Sequence, residues 1–261
     1  MQLEVIANAK NETGLTPILF VHGAWHAAWC WENFLPYFAQ QGYPSYAISL
    51  RGHGASEGRD KIRWHSAAHG YVADVTQIAQ TLTKPPILVG HSMGGYVVQK
   101  YLETHTAAAG VLLASVPVSG VLGFGVRFGL RHPWPFLKAQ LLLNPWHLVE
   151  TPALMHDTFF SPQVSAAEIA RHFARLQPES FRMVLETILL NLPRPDKVKT
   201  PLLVLAAAKD RVFSEAEEQA TARAYGTEAE IFPDMAHDMM LEPDWQRVAD
   251  RILGWLQEHG L

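Results

Sequence analysis

The chain has 261 residues, 48% of them hydrophobic and 18% charged, which fits one large α/β domain with an inserted subdomain around a sizeable core, although length alone would also allow two domains. A formal net charge of −4 gives no electrostatic basis for binding nucleic acid or an anionic membrane surface. The single cysteine, Cys30, leaves no pair for an intrachain disulfide; between Trp29 and Trp31 it reads as a packing residue, and nothing calls for an oxidising compartment.

Glu4 and the run Lys10-Asn11-Glu12 interrupt the N-terminus before any long apolar stretch, so it does not read as a secretory signal, and a cytoplasmic location is expected. Gln2 to Ala7 alternates weakly, as an edge strand would, and Lys10 to Pro17 reads as a polar turn. Ile18-Leu19-Phe20-Val21 is a buried-strand candidate that runs into His22-Gly23-Ala24-Trp25. Residues 29–41 carry Trp31, Phe34, Leu35 and Phe38 at helical spacing, with Gly42 placed as a C-cap. A strand over 45–50 leads to the loop Arg51-Gly52-His53-Gly54-Ala55-Ser56. A helix is predicted over 66–82, with Tyr71, Val75, Ile78 and Leu82 on one stripe.

Pro86-Ile87-Leu88-Val89 reads as a strand, and residues 95–102 read as a helix reaching about Thr104. Between them lies Gly90-His91-Ser92-Met93-Gly94, which fits Gly-x-Ser-x-Gly. A strand that turns sharply into a helix at a serine is a nucleophile elbow; it strains the serine backbone and projects the hydroxyl beside a helix N-terminus, where free N–H groups favour negative charge. Residues 104–126 contain no Asp, Glu, Lys or Arg and are long enough in principle to span a bilayer. His105, Pro117, Gly120, Gly123 and Gly125 interrupt that stretch, and Val111-Leu112-Leu113-Ala114 reads as a parallel strand apolar on both faces, so no transmembrane segment is expected.

Residues 1–116 thus alternate strand and helix, which predicts a mostly parallel sheet with helices on both faces, and the loops at His22, Arg51, Ser92 and Pro117 fall at its carboxyl edge. Residues 117–195 break the alternation; rich in Pro, Trp and Phe and helical over 166–176 and 179–190, they read as a helical cap over that edge. Trp134, Phe136, Trp146, Phe159 and Phe160 either line an acyl pocket or pack the cap on the core, with packing favoured for most. The alternation resumes with a strand at 201–206, a helix at 215–225, a strand at 229–232 and a helix at 244–258, so that 1–116 and 196–261 form the core domain.

A serine hydroxyl needs a base within hydrogen-bond reach, and the base needs an acid to fix its tautomer. On this architecture the chain order is Ser, acid, His. Asp210 follows the strand at 201–206 and His237 follows the strand at 229–232, so both should reach the edge that carries Ser92. With 13 histidines in the chain, proximity alone means little. His91 adjoins Ser92, but consecutive side chains at a tight elbow point apart; His22 suits an oxyanion loop better; Asp234 and Asp238 read as turn or capping residues. The alternative for Asp210 is a solvated loop aspartate paired with Arg211. Oxyanion donors are expected from the N–H of Met93 and from the loop after residues 18–21, through the N–H of Ala24 with Trp25 as the alternative.

His22-Gly23-Ala24-Trp25, Arg51-Gly52-His53-Gly54-Ala55-Ser56, Gly90-His91-Ser92-Met93-Gly94-Gly95, Asp210-Arg211-Val212 and His237-Asp238-Met239-Met240 stand in the order seen in the α/β-hydrolase superfamily. Over nearly its whole length the chain resembles a bacterial-type carboxylesterase or lysophospholipase-like member, and His-Gly-Ala-Trp is similar to the methylesterase and hydroxynitrile lyase branch. The resemblance implies an α/β-hydrolase fold and a cofactor-free acyl-enzyme mechanism with the cap setting substrate choice. Serine at position 92 counts against epoxide hydrolases and haloalkane dehalogenases, which use aspartate, and the absence of His-Glu-x-x-His or clustered His/Cys gives no reason to expect a metal.

Three functions follow. The first is an esterase acting on small to medium apolar esters or a monoacyl lipid, with Trp25, His91, Phe136 and Trp146 as pocket residues. The second is a lyase, C–C hydrolase or perhydrolase using the same triad, for which Lys138 is the candidate cap lysine. The third is a non-enzymatic receptor on the same fold. A small-molecule ester is the expected partner, and the chain is expected to be a monomer or homodimer.

Overall fold

The computed structural model describes residues 1–8 and 14–261. Half of the turn expected over 10–17, residues 10–13, therefore lies outside the described residues. Seven strands form one sheet: β1 (Val5–Asn8), β2 (Ile18–Val21), β3 (Ser45–Ile48), β4 (Ile87–His91), β5 (Ala109–Leu113), β6 (Leu202–Ala207) and β7 (Ala229–Phe232), in the order β1-β3-β2-β4-β5-β6-β7. Only β1 is antiparallel, pairing β3 from Val5 opposite Ile48 to Asn8 opposite Ser45. β2, β4, β5 and β6 are buried along their whole length, as expected of apolar runs covered on both faces.

Strand order reverses at β2, which lies between β3 and β4. Crossovers from β2 to β3 and from β3 to β4 therefore run in opposite directions, and right-handedness puts their helices on opposite faces. These are α1 (Phe34–Gln40) and α2 (Val72–Ala79). α1 packs with α10 (Trp245–Glu258), and α2 packs with α3 (Met93–Leu102). The reversal also opens a crevice beyond the carboxyl ends of β2 and β4, where ligands bind in sheets of this kind.

Two predicted helices are divided. In place of one helix over 29–41 there is a 3₁₀ turn at Ala28–Trp31 and then α1. Pro36 explains the break: in a continuous helix its ring would meet the Glu32 carbonyl and leave it without a donor, whereas in the first turn of α1 no N–H is needed. The helix over 66–82 opens as a π-helical stretch, Ala67–Tyr71, capped by the Ser66 hydroxyl, which accepts the His69 N–H at 3.1 Å.

Between β5 and β6 the described residues form helices and no strand: α4 (Leu122–Arg131), α5 (Pro133–Leu141), α6 (Pro152–Phe159), α7 (Ala166–Phe173) and α8 (Phe181–Leu185), with short 3₁₀ and π stretches. The helix expected over 179–190 narrows to α8 and a π-helical stretch, Glu186–Leu190. Thr187 contributes to this, because its hydroxyl donates to the Met183 and Val184 carbonyls at 3.0 Å and competes for the helical ladder. Among the described residues no helix is long and apolar enough to cross a membrane.

The last crossover helix, α9 (Glu215–Ala224), opens with a capping box between Ser214 and Glu217. The next residue, Glu218, is buried with neither carboxyl oxygen hydrogen-bonded among the described residues. Burial, then the charges of Asp210 and Glu217, hold its pKa well above the ordinary carboxyl value. A carboxyl raised in the folded state favours folding below its unfolded pKa, and that contribution is lost as pH rises through the folded value. Glu218→Leu is therefore expected to raise the melting temperature little near pH 4 and more toward pH 8, where relieving an unpaired buried group is worth about 1–3 kcal/mol. A stabilisation that does not change with pH across a series of thermal melts would contradict this.

Candidate active site

β4 ends at His91 and α3 begins at Met93, leaving Ser92 alone at the turn with φ 52° and ψ −117°. Only a strongly over-determined turn holds a non-glycine residue there. Gly94 supplies the reason: a Cβ on it would lie 2.2 Å from the Val21 carbonyl oxygen, so α3 starts directly against the end of β2. The expected elbow is thus present, with the Ser92 hydroxyl beside a helix N-terminus.

His237 Nε2 lies 2.9 Å from Ser92 Oγ, and His237 Nδ1 lies 2.8 Å from Asp210 Oδ2. A carboxylate only accepts, so Nδ1 carries the proton and Nε2 is free to accept from the Ser92 hydroxyl. Asp210 Oδ1 accepts the N–H groups of Val212 (2.6 Å) and Phe213 (3.1 Å), which fixes the carboxylate in place. The Asp210 side chain is buried, and Arg211 pairs with Asp157 instead, so the solvated Asp210–Arg211 pair does not form.

The loop after β2 is held from several sides. His22 Nε2 accepts the Leu50 N–H at 3.0 Å, which leaves its Nδ1–H to donate to the Gly23 carbonyl at 2.8 Å. Burial, then His53, depresses the His22 pKa well below its ordinary value, so this neutral tautomer persists. The His26 N–H reaches the same Gly23 carbonyl at 3.3 Å. In a trans peptide the N–H points opposite the C=O, so both contacts aim the Ala24 N–H away from them. The amides of Ala24 and Met93 have no acceptor among the described residues. The alternative donor, the Trp25 N–H, faces Glu179 Oε2 at 3.4 Å, which leaves Ala24 as the open one.

Asp238 departs from its expected role as a turn or capping residue. It is fully buried and accepts from His26 Nε2 at 3.1 Å, with His91 Nε2 3.6 Å from its other oxygen. Burial opposes charge on both partners, but their mutual attraction outweighs it: Asp238 titrates below, and His26 above, the ordinary value. His91 is different. Burial, then His237, lowers its pKa to about 3, so it stays neutral and donates from Nε2 to the His237 carbonyl at 3.0 Å. His91, His237 and Asp238 bring potential ligand atoms within 4.8 Å of one another. Both ring nitrogens of His237 are already engaged by Asp210 and Ser92, so a cation there would have to displace one of them. Sequence reasoning missed the His26–Asp238 pair because 212 positions separate its members.

A small cavity of about 20 Å³ at Ser92 is bounded by Ala24, Trp25, His26, His91, Phe124, Phe159, Val212, His237 and Asp238. A second, of about 70 Å³, shares Ala24, Trp25, Ser92, Phe124 and Val212 with it, adds Met93, and extends to Val121, Leu148, Met183 and Val184. Of the four residues expected to line a pocket, Trp25 borders both cavities and His91 the smaller one. Phe136 and Trp146 do not line either cavity. Phe136 lines an outer groove of about 530 Å³, and Trp146 packs on Phe173 at 6.2 Å. Of the other cap aromatics, Phe159 stands 5.6 Å from the His237 ring, Phe160 stacks on His172, and Trp134 is exposed. Lys138 pairs with Glu150 at 2.8 Å and lines neither cavity. Phe124 and Val184 belong to the cavity wall but sit in helices whose apolar spacing does not distinguish pocket from core. Cys30 is fully buried, with its thiol pKa pushed well up by burial, in keeping with packing.

A mostly parallel sheet with a strained serine elbow and a buried Ser–His–Asp line at its carboxyl edge defines the α/β-hydrolase class of fold. Within it, the chain belongs to the Alpha/beta hydrolase family, whose model matches residues 18–251. The pFDCC methylesterase MES16 of Arabidopsis thaliana is 27% identical over 220 residues, covering 78% of this chain and 81% of the relative. A monoacylglycerol lipase of Mycolicibacterium smegmatis is 24% identical over 271 residues, covering 93% of this chain and 88% of the relative. The esterase EaEST from Exiguobacterium antarcticum superposes with a TM-score of 0.74 at 15% identity, covering 98% of this chain and 94% of its own.

Proposed function

We propose that the chain is a carboxylic ester hydrolase working through an acyl-enzyme on Ser92. The observation that carries this reading is the Asp210–His237–Ser92 line beside the unengaged amides of Ala24 and Met93. His237 Nε2 takes the Ser92 proton as Oγ attacks the ester carbonyl, and Asp210 stabilises the imidazolium. The tetrahedral oxyanion is held by the Ala24 and Met93 N–H groups. The C–O bond breaks as His237 protonates the departing alcohol. Water then gives His237 a proton, adds to the acyl carbon, and Ser92 regains its proton as the acid leaves. The relatives named as an esterase and a lipase are in keeping with this chemistry.

The test is an acyl adduct. Intact-mass spectrometry after rapid mixing with a p-nitrophenyl ester should show the protein heavier by one acyl group, located on the peptide containing Ser92. Ester turnover with no covalent adduct, or an adduct elsewhere, would overturn the reading. A hydroxynitrile lyase-type reaction has less support, since the candidate lysine, Lys138, is paired with Glu150 away from the cavity.

The substrate class follows from the cavity walls. Val121, Phe124, Leu148 and Val184 border both the cavity that reaches Ser92 and the outer apolar groove. A short acyl chain fits the inner space, and a longer one continues past these residues into the groove, as a medium-length or monoacyl substrate requires. Val184→Trp is expected to lower kcat/KM for octanoyl and longer p-nitrophenyl esters by about tenfold or more, while acetate stays within about threefold. A wild-type profile that is flat across acyl lengths would remove the basis for the apolar preference.

A further inference from the structure

The inserted helical segment reaches the oxyanion loop at one point. Trp25 is held at φ 64°, in the left-handed region that a bulky side chain rarely occupies. Its peptide groups are pinned on both sides by residues just before α8. The Gln177 N–H donates to the Trp25 carbonyl at 2.9 Å, and the Trp25 N–H points at Glu179 Oε2 at 3.4 Å. Glu179 is itself fixed, its Oε1 accepting from the Ser180 N–H at 2.6 Å and the Tyr71 hydroxyl at 2.7 Å. The Gln177 side-chain oxygen also accepts the Gly54 N–H at 2.7 Å, so residues 177–179 hold the loops after β2 and β3 together.

We infer that Glu179 is a positioning residue for ester hydrolysis: it acts through Trp25 to hold the Ala24 N–H at the oxyanion site. The inference rests on the hydrolase reading above. The Ala24–Trp25 peptide joins the two residues, its carbonyl accepting from His26 Nδ1 at 2.8 Å and its N–H facing Glu179. Fixing that plane fixes ψ of Ala24, and the Gly23 carbonyl contacts fix the plane before it. Without the Glu179 acceptor, the left-handed Trp25 relaxes and the Ala24 N–H is no longer preorganised. The insertion thereby sets transition-state stabilisation as well as covering the cavity.

Glu179→Gln tests this with little change of volume. Its one carbonyl oxygen can serve the Ser180 N–H or the Trp25 N–H, and the shorter contact to Ser180 takes it, leaving an amide NH₂ against the Trp25 N–H. Three measurements are compared with wild type: kcat and KM on p-nitrophenyl acetate, affinity for an alkylboronic acid as tetrahedral mimic, and amide exchange in residues 22–27. We expect kcat and boronate affinity to fall together by about tenfold or more, KM to stay within about twofold, and exchange in 22–27 to accelerate while β2 is unchanged. Should the glutamine variant fail to fold, Glu179→Ala is measured in its place. Folded variant protein with wild-type boronate affinity overturns the inference, as does unchanged exchange in 22–27. A merely structural Glu179 would lower the melting temperature and leave both readouts as in wild type. Wild-type protein that neither turns over ester nor binds boronate would sink the hydrolase reading and the role of Glu179 with it, whereas active wild type with an unaffected variant sinks only the latter.

Discussion

Ser92→Ala is expected to lower ester turnover by on the order of 10⁴- to 10⁶-fold while the protein stays folded. The size of the effect follows from the proposed acyl-enzyme: among the described residues the Ser92 hydroxyl is the group that His237 Nε2 meets, at 2.9 Å. The fold should tolerate the change because the elbow is held by the Ser92 backbone. Its N–H donates to the Leu113 carbonyl at 3.0 Å, and its carbonyl accepts from the N–H groups of Tyr96 (3.2 Å) and Val116 (3.1 Å). Alanine keeps those bonds and carries the same Cβ at φ 52°. Some rate above water should survive through the oxyanion donors and substrate binding alone. Steady-state kinetics on a p-nitrophenyl ester series, with thermal melts to confirm folding, decide it. Turnover within about tenfold of wild type would remove Ser92 from the mechanism.

The second large effect is expected from Asp210→Asn, a loss of about 10⁴-fold in kcat near neutral pH. The direction comes from the partners of the carboxylate. Oδ1 accepts from both Val212 and Phe213, so the amide oxygen of asparagine is held on that side and its NH₂ must face His237. His237 Nδ1 then becomes an acceptor and Nε2 carries the proton, so Nε2 can no longer receive one from Ser92. Nitrogen-15 chemical shifts of the imidazole read that tautomer directly, apart from activity. An Nδ1-protonated ring in the variant, or turnover close to wild type, would contradict this account.

The elbow strand with its serine and the strand at 18–21 were legible because each is written in a short window, and the mostly parallel sheet because such windows alternate with helices along the chain. Apolar runs of four to six residues bounded by Pro, Gly or polar turns have few other solutions, and a strand-to-helix serine turn requires small neighbours such as Gly94. Helix boundaries were less legible. Pro36 and Thr187 act through a carbonyl four residues back, a local steric and hydrogen-bonding effect that apolar spacing does not register.

What only the tertiary structure decided are the contacts between chain-distant groups. It engages the Trp25 amide with Glu179 and leaves that of Ala24 open, pairs His26 with Asp238 inside the core, turns Lys138 toward Glu150, and puts Phe124 and Val184, in place of Phe136 and Trp146, on the wall of the Ser92 cavity. The physical reason is the same in each case. Alternating apolar patterns determine which residues are buried and at which edge of the sheet a loop emerges, but a polar or aromatic group is assigned by whichever partner the packing brings within about 3–4 Å, and that partner lies outside any local window, from 12 residues away for Lys138 and Glu150 to 212 for His26 and Asp238.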